Sequence, residues 1–236
     1  MTEDIRLTRI QRRNREAIRQ AALEVFSRHG FRGATLDQIA ATANMSKPNL
    51  LYYYPSKEAI HRRLMGELME VWLRPLQALD PDGDPIEEIL AYVHRKLQIA
   101  RDMPRESRFI AGEMIQQTPG IESILQGSIR PLALRQVTVI ETWMRQGHLR
   151  RMPVMHLLAA IWSLTQQYSD SAVQHDVLMG PDHDLFGTAE QFLDDLFIQL
   201  LTPIRPAQTV HPVQAQPQPH ADPEPQRLES TSAAMA

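Results

Sequence analysis

Residues 47–53 carry an ammonium, an amide and two phenols within seven positions: Lys47, Asn49, Tyr52 and Tyr53. Amide groups read base edges in a DNA major groove, whereas ammonium and phenol groups bond to phosphate oxygens. The first turn of a helix also offers backbone N–H groups to phosphate. The predicted DNA contacts are Thr35, Ser46, Lys47, Pro48, Asn49, Tyr52, Tyr53 and Lys57.

A second group of side chains falls at helical spacing much later in the chain. Trp162, Gln166 and Asp170 are four residues apart, so a helix places them on one slowly turning face. If buried, this amide and carboxylate need hydrogen-bond partners, which a flat polar ligand can supply. A small rotation of the helix presents Tyr168 or Gln174 instead. In the alternative interpretation, Trp162 only fills the core.

The segment 35–54 has the pattern of a helix-turn-helix. Thr35 and Gln38 form a capping box that opens a short amphipathic helix, and a tight turn follows near Asn44. Ser46 caps the next helix, and Pro48 lies in its first turn, where no N–H is needed. Two short helices joined by a turn also occur in proteins with no DNA role. The spacing alone therefore leaves both interpretations open.

Apolar residues recur at helical spacing from about residue 14 to residue 201, which predicts an all-α fold. No run of alternating β-branched residues indicates a strand. About nine helices are expected. Two short ones start at Thr35 and Ser46, and the others span 14–28, 56–75, 85–102, 105–117, 120–146 with a kink at Pro131, 153–178 and 185–201.

Four regions are predicted along the chain. Residues 1–13 form a flexible basic arm, 14–56 the helix-turn-helix domain and 57–202 a domain for ligand binding and dimerisation. Residues 203–236 are rich in Pro and Gln and have too few apolar side chains to offset chain entropy, so a disordered tail is expected.

Charge and composition narrow the class of protein. Residues 1–63 hold twelve Lys and Arg against six Asp and Glu, whereas the remainder holds 13 against 22. A basic first part on an acidic body suits a protein that meets phosphate at one end. The sequence has no Cys, and we expect no membrane span, no signal peptide and a cytoplasmic location.

The string GFRGATLDQIAATANMSKPNLLYYYPSKEAI resembles the signature of TetR-type regulators almost throughout. The resemblance implies a three-helix DNA-binding domain, a helical ligand domain, a homodimer and repression relieved by ligand. It also carries Tyr52, Tyr53 and Lys57 over as DNA contacts, with Tyr53 in place of a usual His. Leu51 stands where the family often has a phosphate-contacting Tyr, and Tyr54 stands at a core Phe position.

Further stretches, VWLRPLQAL, SRFIAGEM and IWSLTQQYSDSAVQ, resemble the pyrimidine-utilisation branch of that family over about residues 10–202. The resemblance implies uracil or thymine as effector, and a purine or a dihydropyrimidine remains an alternative. Trp72 is then the second aromatic wall of the ligand site, unless it is a plain core residue. We expect the last two helices to form the seam between subunits.

Other classes of protein find less support. Glu58 and His61 have the Glu-x-x-His spacing of a di-iron bundle, but no second copy follows. Asp182, His183 and Asp184 could hold a metal but lie in a turn. We therefore expect no enzyme, no cofactor and no metal, and the remaining rival is a helical interaction module without DNA binding.

Overall fold

The computed structural model describes residues 8–180 and 182–203, and this part of the chain is helical without strands. The all-α prediction is confirmed. The first seven residues of the predicted arm and residues 204–236 of the predicted tail lie outside the described residues.

Eleven α-helices and one π-helical turn make up the described residues, where about nine helices were expected. The helices are α1 Arg9–Gly33, α2 Leu36–Thr42, α3 Lys47–Tyr53, α4 Lys57–Gln77, α5 Pro85–Asp102, α6 Pro104–Ile115, α7 Ile121–Ile124, α8 Arg130–Arg145, α9 Val154–Asp170, α10 Ala172–Met179 and α11 Leu185–Leu201. The π-helical turn, Leu125–Ile129, joins α7 to α8.

The two longest predicted helices are each interrupted. The 120–146 segment widens into the π-helical turn just before Pro131, whose ring leaves no room for the carbonyl four residues earlier. The 153–178 segment breaks at Ser171, where φ is −114° and ψ is 28°. Just before that break, the Ser169 hydroxyl donates to the Gln166 carbonyl at 3.0 Å, which competes with the helical ladder.

The prediction of a flexible arm is wrong for residues 8–13, because α1 begins at Arg9 rather than at Asn14. Thr8 Oγ1 accepts from the Gln11 N–H at 3.2 Å, and Gln11 Oε1 accepts from the Thr8 N–H at 2.9 Å. This capping box satisfies two donors that a helix start leaves open. The helix predicted over 14–28 also continues further: it breaks at Gly30, where φ is +65°, and one more turn runs to Gly33.

A small apolar core joins the first three helices. Ile18, Ala22 and Phe26 of α1 are buried together with Ile39 of α2 and Leu50 of α3. Burial of each large apolar side chain contributes about 1.5–3 kcal/mol, so this core holds α3 in a fixed orientation. Leu50 is the only fully buried residue of α3, and the other positions of that helix are left for contacts outside the core.

Helix α5 lies at the centre of the remaining bundle. It packs against α4, α6, α9 and α11, and α6 also contacts α1. Helix α4 contacts α1 at one end and α5 and α8 along its length. Helix α4 therefore connects the three-helix head to the body, and its buried side chains belong to one apolar cluster that spans both.

Candidate DNA-binding and ligand sites

Local hydrogen bonds orient helix α3 as the sequence predicted. The Ser46 hydroxyl accepts from the Asn49 N–H at 3.4 Å, and Pro48 lies in the first turn. Before it, Asn44 turns the chain with φ of +54°, and Thr35 and Gln38 form the expected capping box. The predicted tight turn and both caps are confirmed.

The start and one face of α3 are open to solvent. Ser46, Lys47, Pro48 and Asn49 are exposed, and Tyr52 keeps 72% of its surface. Lys47 forms an ion pair with the exposed Asp37 of α2 at 2.9 Å. Exposed ion pairs contribute about 0–1 kcal/mol, so this one opens readily when a phosphate competes for the ammonium.

Tyr53 has a structural contact as well as a position beside the exposed face. Its hydroxyl accepts a hydrogen bond from Asn14 Nδ2 at 2.8 Å, which ties α3 to α1. Its ring meets that of Tyr52 edge to face, with centroids 5.1 Å apart. Tyr54 is half-buried against the core, whereas Leu51 is 39% exposed on the open side of the helix.

The ammonium of Lys57 points back to the end of α1. It donates to the carbonyls of Phe31 at 2.8 Å and Ala34 at 2.9 Å, and it lies 4.6 Å from the centre of the Phe31 ring. Two of its three donors are therefore bound inside the protein. The sequence suggested a phosphate contact here, and it held no local signal for this tertiary contact between α1 and α4.

In the body, two of the predicted ligand residues face each other. The rings of Trp72 on α4 and Trp162 on α9 have centroids 5.6 Å apart and are tilted by 47°. The indole N–H of Trp162 donates to the Tyr92 hydroxyl at 2.6 Å. Burial raises the pKa of Tyr92, so this phenol stays protonated. Tyr92 on α5 was not predicted from the sequence.

Lys96 also lies at this site and was missed. Its side chain is 4% exposed, and its ammonium lies 3.6 Å from the centre of the Trp72 ring. Within the described residues it has no hydrogen-bond or ion-pair partner, and burial lowers its pKa well below the ordinary 10.5. The available signal was a cation inside the apolar stripe of α5, between Val93 and Ala100.

The remaining predicted ligand residues separate into two groups. Gln166 Nε2 donates to Asp170 Oδ1 at 2.7 Å and to the Ser169 hydroxyl at 2.9 Å, so the amide and the carboxylate are joined on α9. Tyr168 instead stacks on His175, with centroids 5.5 Å apart, and burial raises the pKa of its phenol. Gln174 is exposed on α10, beyond the break at Ser171.

Sequence comparison assigns the family. Residues 18–64 match the pattern described as "Bacterial regulatory proteins, tetR family", and residues 65–204 match "YcdC-like protein, C-terminal region". The chain belongs to the TetR family. Members of this family are DNA-binding transcriptional regulators, not enzymes, and they bind operators and small-molecule effectors as dimers. The expectation that this TetR-family chain is not an enzyme agrees with that assignment.

Known relatives of this TetR regulator include "HTH-type transcriptional regulator RutR" of Escherichia coli (strain K12). It is 39% identical over 166 residues, which cover 70% of this chain and 78% of RutR. The "Biofilm operon icaADBC HTH-type negative transcriptional regulator IcaR" of Staphylococcus epidermidis is 39% identical over 74 residues, which cover 31% of this chain and 40% of IcaR.

Solved structures share the fold at low sequence identity. A TetR-family protein from Rhodococcus RHA1 has a TM-score of 0.66 at 21% identity and covers 81% of this chain and 98% of its own. AibR, in complex with isovaleryl coenzyme A and operator DNA, has a TM-score of 0.61 at 19% identity, with 81% and 100% covered.

The residues considered for metal binding have other roles. Asp184 Oδ1 accepts from the Gly187 N–H at 3.0 Å and caps α11, while His183 bonds to the Thr188 hydroxyl at 2.9 Å. His61 bonds to Glu113 rather than to Glu58. Across residues 8–180 and 182–203, no cluster of three His, Asp or Glu could hold a metal ion. In the same ranges, no helix is long and apolar enough to cross a membrane.

Proposed function

We propose that this TetR regulator is a cytoplasmic repressor of genes for pyrimidine breakdown or related nitrogen metabolism. It binds a near-palindromic operator as a homodimer, and uracil or thymine releases it. The observation that carries the proposal is the group formed by the buried Trp72 and Lys96 and the half-buried Trp162, with Gln166 and Asp170 further along α9. The similarity to RutR over 78% of that protein supports it.

Helix α3 enters the major groove in this proposal. Asn49 lies at its exposed start, where an amide can bond an adenine edge, and Lys47 can reach guanine or phosphate. Tyr52, together with the first turns of α2 and α3 at Thr35, Ser46 and Pro48, contacts phosphate. Tyr53 and Lys57 act mainly by fixing α3 and α4, because their polar atoms are bound within the protein.

The seam between subunits is proposed to lie on α9–α11. These helices leave large apolar side chains open to solvent, which is typical of a surface that pairs with a second copy. The most exposed are Met155, Val173, Val177, Leu178, Met179, Phe192 and Ile198. Pairing along this seam places the two recognition helices about 34 Å apart or slightly more, which is one turn of DNA.

A pyrimidinedione matches the chemistry of the side chains around Trp72 and Trp162. It is flat, with two N–H donors and two carbonyl acceptors, so it can stack on an indole and bond at its edges. Lys96 supplies a donor that has no acceptor within the described residues, and Asp170 and Gln166 supply acceptors for N–H groups. The ligand therefore gives the Lys96 amine a hydrogen-bond acceptor.

Ligand binding requires the two indoles to separate. Carbon atoms in contact lie about 3.5–4.0 Å apart, so a flat ring between two others needs a gap of about 7–8 Å. The centroids of Trp72 and Trp162 are only 5.6 Å apart. Entry of the ligand thus pushes Trp72 and α4 away from α9, and the DNA-binding head moves with α4.

The experiment combines calorimetry with a mobility-shift assay on DNA from the protein's own promoter region. We expect uracil or thymine to bind and to release the duplex, and the double variant Trp162→Ala/Gln166→Ala to lose affinity for the pyrimidine at least about tenfold. Gln167→Ala is the matched control, since Gln167 is the exposed neighbour on the same helix.

Each other outcome changes a defined part of the proposal. Equal uracil affinity in the double variant refutes the site, while release by a purine or a dihydropyrimidine alone changes the effector. DNA binding should also weaken steeply as salt is added, because phosphate contacts release counterions. The absence of binding to any duplex leaves an interaction module as the function.

A further inference from the structure

A cavity lies where the head meets the body, away from the two tryptophans. It has a volume of about 460 Å³, within the range of about 300–1,000 Å³ found for small-molecule sites. Helices α1, α4, α6 and α7 contribute to its wall, through residues that include Phe31, His61, Met65, Gly66, Glu113 and Ile124.

The polar part of this cavity wall is a buried acid and base. His61 Nε2 and Glu113 Oε2 are 2.7 Å apart, and the two residues are only 6% and 2% exposed. The rings of Phe26, Phe31 and Phe109 surround the imidazole. Within the described residues, no protein group donates to the other carboxylate oxygen, Glu113 Oε1. This oxygen is not sealed off in the interior: it is accessible from the cavity, where a ligand or water can donate to it.

We propose that this junction cavity binds a small protonated amine with an apolar body. The ammonium donates to Glu113 Oε1, and the body packs against Met65, Ile121 and Ile124. The cavity wall holds two carboxylates, Glu58 and Glu113, against one arginine, Arg62, and the imidazole of His61, so with a neutral imidazole a cation complements it better than an anion does. A charge-assisted bond to a buried carboxylate is about twice as strong as a neutral one.

This site is separate from the pyrimidine site. His61 and Trp72 lie eleven residues apart on α4, which is about 16 Å along the helix. Phe31 belongs to α1, so an amine in the cavity touches the DNA-binding head directly. The amine therefore acts on DNA affinity without passing through Trp72 or Trp162.

Gly66 allows the cavity to be filled without disturbing the charged pair. A Cβ atom added at Gly66 meets no atom within 4 Å, and Gly66 lies in the middle of α4, where a larger residue is a better helix former. Gly66→Leu should place its side chain in the cavity, while Gly66→Ala leaves most of the space open. Gly66→Ala is therefore the matched control.

The test is calorimetry on the full chain with 2-phenylethylamine, its neutral analogue 2-phenylethanol and the anion 3-phenylpropionate. We expect the wild type and Gly66→Ala to bind the amine and to bind the two analogues at least about tenfold more weakly. Gly66→Leu and Glu113→Gln should each lose at least about tenfold in amine affinity. Circular dichroism and retained uracil binding establish that Gly66→Leu is folded.

The outcomes separate this proposal from the pyrimidine site. Amine binding that survives in Gly66→Leu overturns the junction site, as does a wild type that binds none of the three probes. Loss of amine binding in Trp162→Ala/Gln166→Ala, with retention in Gly66→Leu, assigns the amine to the tryptophan site instead. If Glu113→Gln fails to fold, the comparison of Gly66→Leu with Gly66→Ala decides.

Discussion

The substitution Lys96→Met tests the buried ammonium beside Trp72. Burial lowers the pKa of Lys96 well below 10.5 in the folded protein, while the unfolded chain keeps the ordinary value. Between these two pKa values the unfolded chain holds one more proton than the folded chain. The free energy of unfolding therefore rises with pH by up to about 1.4 kcal/mol per pH unit in that window.

The sign of this dependence follows from the depressed pKa. The stability tied to Lys96 is fully present above pH 10.5 and is lost as the pH falls towards the folded-state pKa. The cation–π contact with Trp72, worth about 2 kcal/mol when desolvated, opposes the shift but does not cancel it. Methionine fills similar space without a charge, so Lys96→Met should be more stable than the wild type near neutral pH.

The assay is urea unfolding of both proteins at several values between about pH 7 and about pH 10, where linear extrapolation to zero urea gives the free energy of unfolding. The difference between variant and wild type should shrink as the pH rises. Lys47→Met is the control, because the Lys47 side chain is 46% exposed and its difference from the wild type should stay level. Parallel curves for Lys96→Met would refute the reasoning, since they require equal proton binding by Lys96 in both states.

Two further predictions concern the head and the seam. Lys57→Met should lower the free energy of unfolding, measured by urea unfolding, by about 1.5–3 kcal/mol, because it removes charge-assisted bonds to the carbonyls of Phe31 and Ala34. Unchanged stability with weaker DNA binding would instead support a phosphate contact. Phe192→Asp should convert the dimer to a monomer in sedimentation experiments, since it buries a charge in the α9–α11 seam. Leu134→Asp, at an exposed position of α8 outside the seam, is the control and should leave the dimer intact. If the Phe192→Asp variant remains a dimer, the proposed seam is excluded.

Local signals in the sequence were sufficient for much of the head. Thr35 and Ser46 cap their helices as predicted, because a cap depends on residues within three positions. The same rule was available at Thr8 and Gln11, but the basic charges of that segment suggested a flexible arm instead. The missed helix start was therefore readable from the sequence.

Tertiary contacts account for what the sequence did not reveal. The donors of Lys57 find carbonyls 23 and 26 residues away, and Tyr92 meets Trp162 across 70 residues. Lys96 interrupts an apolar stripe, yet only the packing of α5 against α4 puts its ammonium over Trp72. The contact between Gln166 and Asp170 was predictable from the sequence, because residues four apart are neighbours on one helix.

The attachment of Lys57 to α1 has a mechanical consequence. Because Lys57 is the first residue of α4 and also bonds to the end of α1, we expect the head and α4 to turn as one body. Trp72 lies fifteen residues further along, about 22 Å from Lys57 along the helix axis. A tilt of about 10° at Trp72 therefore displaces the head by about 4 Å, which exceeds the spacing of about 3.4 Å between successive base pairs. A movement of that size at each end of a dimer puts the recognition helices out of step with an operator whose half-sites are fixed.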